Sequence, residues 1–137
     1  MSSGYLLGID PGSSKTGAAL LSKQGEIIRQ DVILMNNFAQ GLAEFLRQAE
    51  PEICVIGNGT TSQALQDTLA QILPNLKIVV ADEAHSTEEA RTLYWELNPP
   101  QGWRRFMPLG MLTPPVPLDA YAAVVLARRF LQKKNNF

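Results

Sequence analysis

From Tyr5 onward, short apolar runs alternate with polar breaks. Residues 5–9 (YLLGI) are continuously apolar and read as a buried strand, and residues 10–16 (DPGSSKT) read as a loop opened by an Asp-Pro-Gly turn. Residues 17–22 (GAALLS) predict a second strand, Lys23-Gln24-Gly25 a hairpin turn, and residues 26–34 a third strand of mixed polarity. The period then changes. Phe38, Leu42, Phe45, Leu46 and Ala49 recur at helical spacing over residues 37–49, and Pro51 is expected to stop that helix. Residues 53–57 predict a fully apolar strand, and Thr60 with Gln63 matches a capping box for a helix that ends near Pro74. Residues 77–81 predict another strand, and Ser86 with Glu89 opens a helix to about Leu97. Residues 98–117 are rich in proline and glycine and read as an ordered loop with apolar content of its own. Residues 118–133 close the chain as a helix with Leu118, Tyr121, Ala122, Val125 and Leu126 on one face.

This order, three strands and then strand–helix alternation, predicts one α/β domain over residues 1–137. Its mixed five-stranded sheet combines a three-stranded antiparallel meander with two further strands parallel to the first, and carries helices on both faces. The length and the 45% hydrophobic content suit a single core. No apolar run is long enough to cross a bilayer, so no membrane partner is expected, and the N-terminus lacks the marks of a signal peptide. Cys54 is the only cysteine and sits in an apolar strand, which fits a core thiol in a reducing, cytoplasmic setting. With one cysteine and one histidine, a thiolate–imidazole metal cluster is excluded and no Ser-His-Asp arrangement stands out.

Charge is unevenly distributed. Residues 1–99 hold six Lys/Arg against twelve Asp/Glu, whereas residues 100–137 hold six Lys/Arg against one Asp. A basic last third suits a polyanionic partner. Arg104 and Arg105 lie between Trp103 and Phe106, a mixture of basic and aromatic groups found on nucleic-acid surfaces, although both rings could equally tuck the loop onto the core. Arg128 adds to the basic set, and Lys133 and Lys134 read as a solvated tail.

The glycine-rich opening loop is neither a Walker A loop nor a dinucleotide fingerprint, because the spacing is wrong and a strand follows it instead of a helix. What remains is an acid at a strand end, Asp10, beside a turn that lets a phosphate approach. Ser13, Ser14 and Lys15 are candidate phosphate contacts, as is the helix start after Gly57-Asn58-Gly59. The last strand ends in a second acid pair, Asp82-Glu83, and the closing helix begins at Asp119. With the first and last strands as neighbours, Asp10, Glu83 (or Asp82) and Asp119 converge on one rim. Crowded carboxylates need a cation, and oxygen ligands suit Mg²⁺ or Mn²⁺. His85 follows the acids and carries at most an assisting role in proton transfer or product release.

Three stretches, in order, resemble the RuvC and YqgF (RuvX) group of the RNase H-like superfamily: GIDPGSSKTGAAL, ADEAHSTEEAR and PLDAYAAVVLARRFL. The resemblance covers essentially the whole chain. It implies an RNase H-like nuclease fold, Holliday-junction resolvase or pre-16S ribosomal RNA processing activity, and Asp10, Glu83 and Asp119 as metal-binding acids, where two ions could activate a water and stabilise the leaving oxygen. Ala84 stands where family members often carry arginine after the acid pair. The strand at 53–57 ends without an acid, which favours YqgF over RuvC proper. The expected activity is Mg²⁺-dependent hydrolysis of phosphodiester bonds in structured RNA or branched DNA. The alternatives are a catalytically silent nucleic-acid- or ribosome-binding module on the same fold, and a sugar-kinase or actin-like half domain. A two-fold DNA junction would call for a homodimer, and single-site RNA trimming would not.

Overall fold

The structure, a computed structural model, describes residues 4–47, 49–82, 84, 86–108 and 111–135. Its elements are β1 (Tyr5–Asp10), β2 (Lys15–Ser22), β3 (Ile27–Leu34), a three-ten turn (Met35–Asn37), α1 (Phe38–Phe45), β4 (Pro51–Gly57), α2 (Ser62–Ile72), β5 (Lys77–Ala81), α3 (Ser86–Leu97), a second three-ten turn (Gly102–Phe106) and α4 (Asp119–Asn135). The five strands form one sheet in the order β3-β2-β1-β4-β5. β1, β2 and β3 pair antiparallel, and β4 and β5 run parallel to β1.

Successive side chains of a strand point to opposite faces, and this alternation divides the core in two. Leu6, Ala19, Leu21 and Val55 face α3 and α4. Leu7, Ile9, Ala18, Leu20, Cys54 and Ile56 face α1 and α2. A smaller satellite core joins Tyr94, Trp95 and Leu112, backed by Met107, Leu118 and Tyr121.

α4 lies unusually close to the sheet. A Cβ on Gly8 would overlap the Ala123 carbonyl oxygen, and one on Gly17 would overlap the Asp119 carbonyl oxygen. Two glycines on neighbouring strands thus form the bed on which the helix rests. The helix in turn presents small residues: Ala120, Ala122, Ala123 and Ala127 are all buried.

Several local expectations need correction. β1 and β5 are not neighbours, because β4 lies between them. The physical reason is burial: Cys54, Val55 and Ile56 are fully enclosed, whereas Val80 of β5 is 51% exposed. β4 is enclosed in the interior of the sheet, and β5, left more open, lies at the edge. Lys15 and Thr16 belong to β2, so the opening loop is shorter than the polar run suggests. α1 ends at Phe45, well ahead of Pro51, which instead opens β4 opposite Tyr5, a strand-start position where a missing N–H is tolerated. The Thr60–Gln63 capping box is not formed, since α2 begins at Ser62 and the Gln63 amide donates to Asp67 (3.0 Å). Trp103 and Phe106 do not tuck inward, being 68% and 78% exposed. Leu112 and Met107 anchor that loop in their place.

Candidate metal centre at the carboxyl rim of the sheet

Asp10 is the last residue of β1. It shares a face with Leu6 and Gly8, the face covered by α4, because strand side chains alternate. Its cross-strand partner is Gly17. Directly over Gly17 sits the backbone of Asp119, the first residue of α4. The turn beneath is closed by the Ala122 N–H donating to the Leu118 carbonyl (2.8 Å). Two carboxylate-bearing residues far apart in the chain therefore adjoin the same glycine, Asp10 as its cross-strand partner and Asp119 by its backbone. Both are partly buried. Lys15, two residues before Gly17, lies on the same face of β2 at the same rim.

The loop after Asp10 is held from three sides. The Met35 N–H donates to the Ser14 carbonyl (2.9 Å), the Thr61 hydroxyl donates to the Gly12 carbonyl (3.0 Å), and the Thr16 hydroxyl donates to the Met35 sulfur (2.8 Å). Ser13 and Ser14 stand exposed at its tip. Thr61 was not among the sequence candidates, and its tie to Gly12 needed the fold to be seen.

The second acid pair is divided. Asp82 is exposed, and its carboxylate accepts the Ala84 N–H (2.9 Å), a local turn of the kind aspartate commonly makes. Glu83 and His85 lie outside the described residues. The strand end that carries the pair is registered with the site: Ile9 pairs with Ile56 and Ile56 with Val80, and Gly57 pairs with Ala81. Asp10 and Ala81 therefore stand two strands apart, roughly 10 Å. Gly57, which has no side chain, occupies the strand between them.

Among the described residues, no group of three or more His, Cys, Asp or Glu side chains comes together as a metal site. The Asp10–Asp119 pair nevertheless fits a hard cation. Its donors are carboxylate oxygens, and Mg²⁺ is usually held by one or two carboxylates, with waters and substrate phosphate completing the shell. Thiolate is excluded, because Cys54 faces the opposite core and burial pushes its thiol well above the ordinary range.

The basic residues split into two groups. Arg104 and Arg105 are exposed on the second three-ten turn, their guanidinium carbons 5.8 Å and 4.9 Å from the ring centres of Trp103 and Phe106. Arg128 is some nine residues along α4 from Asp119, about 14 Å, and its Nε donates to the Gly25 carbonyl (3.0 Å) at the far end of the sheet. Arg129 Nε donates to Glu89 (2.8 Å) and its terminal nitrogen to the Asp82 carbonyl (3.2 Å), locking α4 to α3 and to the exit of β5. A groove of about 460 Å³ between α3 and α4, with Glu89, Glu96 and Arg128 in its wall, lies along the outer side of these helices and does not include the acids at the rim.

No protein-family model matches the chain, and no curated protein matches it. Solved structures do. A RuvC structure from Thermus thermophilus is 15% identical, with a TM-score of 0.57, covering 90% of this chain and 90% of that one. A ROK family glucokinase from Streptomyces griseus, in complex with glucose and AMPPNP, is 17% identical (TM-score 0.48) and covers 72% of this chain and 38% of that one. The (R)-2-hydroxyglutaryl-CoA dehydratase component A from Acidaminococcus fermentans is 17% identical (TM-score 0.49), covering 67% and 36%. The RuvC likeness is one of fold: a five-stranded mixed sheet with helices on both faces, in the RNase H-like arrangement.

Proposed function

We propose that this protein is a Mg²⁺-dependent nuclease of the YqgF (RuvX) type that hydrolyses phosphodiester bonds of structured nucleic acid, either precursor 16S ribosomal RNA or a branched DNA junction. The observation that carries the reading is that Asp10 and the Asp119 backbone both adjoin Gly17 at the rim. The RuvC-like fold over 90% of the chain supports it.

Asp10 and Asp119 would hold the metal, with Glu83 as the third acid and Asp82 kept for its turn. A bound Mg²⁺ or Mn²⁺ supplies an ionised water at neutral pH and charge stabilisation at the leaving oxygen, and two ions supply both at once. Lys15, at the same rim, would neutralise a non-bridging phosphate oxygen. The Ser13 and Ser14 hydroxyls would orient the backbone by hydrogen bonds, which position a strand without reading its sequence. Arg104 and Arg105 would hold flanking phosphates.

The test is cleavage of branched DNA and of precursor ribosomal RNA by purified protein, with Mg²⁺ or with chelator, beside Asp10→Asn. Cleavage should require Mg²⁺. The variant should lose more than the roughly 10–100-fold that even outer-shell changes cost a metal site. Binding without metal-dependent cleavage, or equal cleavage by the variant, would leave a silent nucleic-acid-binding module.

A further inference from the structure

A second cavity, of about 380 Å³, lies between the end of α3 and the proline-rich loop, walled by Trp95, Asn98, Pro100, Trp103, Arg104 and Pro115. Three observations give it a chemical character. Trp95 is only 7% exposed, yet its indole N–H has no acceptor among the described residues. The other buried side-chain atom in that condition is Gln30 Oε1, on β3. A buried donor without a partner is uncommon in a native structure, and a shift of the ring that exposed it would let an acceptor from outside pair it. Trp103 is 68% exposed, a large flat ring that no core claims. Arg104 lies over that ring, and it is the only charged side chain in the wall.

Resting on the nucleic-acid reading above, we infer that this cavity receives one unpaired nucleobase of the substrate. The base stacks on Trp103, Arg104 meets the adjoining phosphate, and a ring carbonyl accepts the Trp95 N–H once that ring turns to open its nitrogen, which is enclosed in the free protein. Stacking on exposed aromatics with arginine on the backbone is how single-stranded nucleic acid is held. The excess of basic residues after residue 99 favours this polyanion over a proline-rich peptide, the other ligand that aromatic grooves take. The cavity is tied to the acid rim through one helical turn. Tyr94, next to Trp95, packs edge-on against Tyr121 (5.3 Å between ring centres), two residues beyond Asp119. A base seated here anchors the strand beside the Asp10–Asp119 pair.

The chain has two tryptophans and both line the cavity, so selectively excited tryptophan fluorescence reports on it. The probe is a short abasic oligonucleotide carrying either one thymine, one difluorotoluene (the thymine isostere without carbonyl acceptors) or no base. It is titrated in metal-free buffer containing EDTA. The thymine oligonucleotide should quench the fluorescence and bind about tenfold tighter than the abasic one, as expected for one base stacked on an aromatic ring. Trp103→Ala, a change at an exposed site, should abolish that gain. Trp95→Phe should keep a gain from stacking but bind thymine and difluorotoluene equally. Equal binding of the thymine and abasic probes, or an unchanged gain in Trp103→Ala, would overturn the inference. So would quenching by a polyproline peptide and not by the oligonucleotides. Equal binding of thymine and its isostere by the unmodified protein would overturn the role of the Trp95 N–H. Because no metal is present, failure here leaves the nuclease reading standing, and failure of cleavage leaves this result standing.

Discussion

Gly17 carries more of the site than either acid does alone. Its missing side chain is the space in which the Asp119 carbonyl sits, beside the partner strand position of Asp10. The clashing atoms in Gly17→Ala would be helix backbone, which cannot turn aside as a side chain can. Overpacking of this kind costs about 1–3 kcal/mol, so the urea midpoint should fall accordingly. Metal-dependent cleavage should fall further than stability explains, because α4 must lift away from Asp10. Activity that follows only the folded fraction would contradict this. Cys54 gives a separate prediction. Burial holds its thiol protonated well above the ordinary thiol value. The unfolded chain would release that proton first, so folding stability should decline as pH rises through about 8–10, with a slope no steeper than about 1.4 kcal/mol per pH unit. Cys54→Ala should flatten that decline in urea titrations run across the same range.

α4 is the element that assembles the rim, and its clamps are distinct from its chemistry. Arg129 ties it to Glu89 and to the exit of β5, and Arg128 ties it to the β2–β3 hairpin. Removing the Arg129 side chain should cost about 1 kcal/mol, discounted for an ion pair whose partner Glu89 is half exposed, and the loss should shrink in high salt. Most of this element order could be read from the chain, because each strand and helix carries its own period. The buried runs at 5–9 and 53–57 marked strands, and Leu118 to Leu126 marked the closing helix. Strand adjacency could not be read the same way. Nothing local in residues 77–81 says that β5 is an edge, since that depends on which strand the sheet encloses more fully. The Thr60–Gln63 box also failed. The helix starts one residue later than the box requires, with Thr61 at its N-cap, and the Gln63 amide is spent on Asp67. Asp10 and Asp119 were legible as candidates because acids at element ends are conspicuous. A shared rim was expected for them, but the contact that sets the Asp119 backbone over Gly17 was not legible, because that glycine's role appears only under the helix.

Charge is divided along the chain, with acids gathered before residue 100 and basic residues after it, and the proposed binding of a polyanion would draw on the second group. Arg104 and Arg105, exposed and held on aromatic rings, should each neutralise about one phosphate. Replacing both with alanine should weaken binding and flatten the dependence of log affinity on log salt by about 0.7–0.9 per arginine. Arg128→Ala should lower stability and leave that slope unchanged, since its Nε is spent on Gly25. An equal change of slope in the two variants would show that the basic face extends along α4. The central claim is that Asp10 and Asp119 jointly hold a divalent cation at the sheet rim. A crystal soaked in Mn²⁺ and measured for anomalous scattering tests it most directly. The account predicts a peak bonded to carboxylate oxygens of both residues at about 2.1 Å, with Glu83 or water completing the shell. Mn²⁺ bound elsewhere with this pair empty, or no peak at millimolar Mn²⁺, would contradict it.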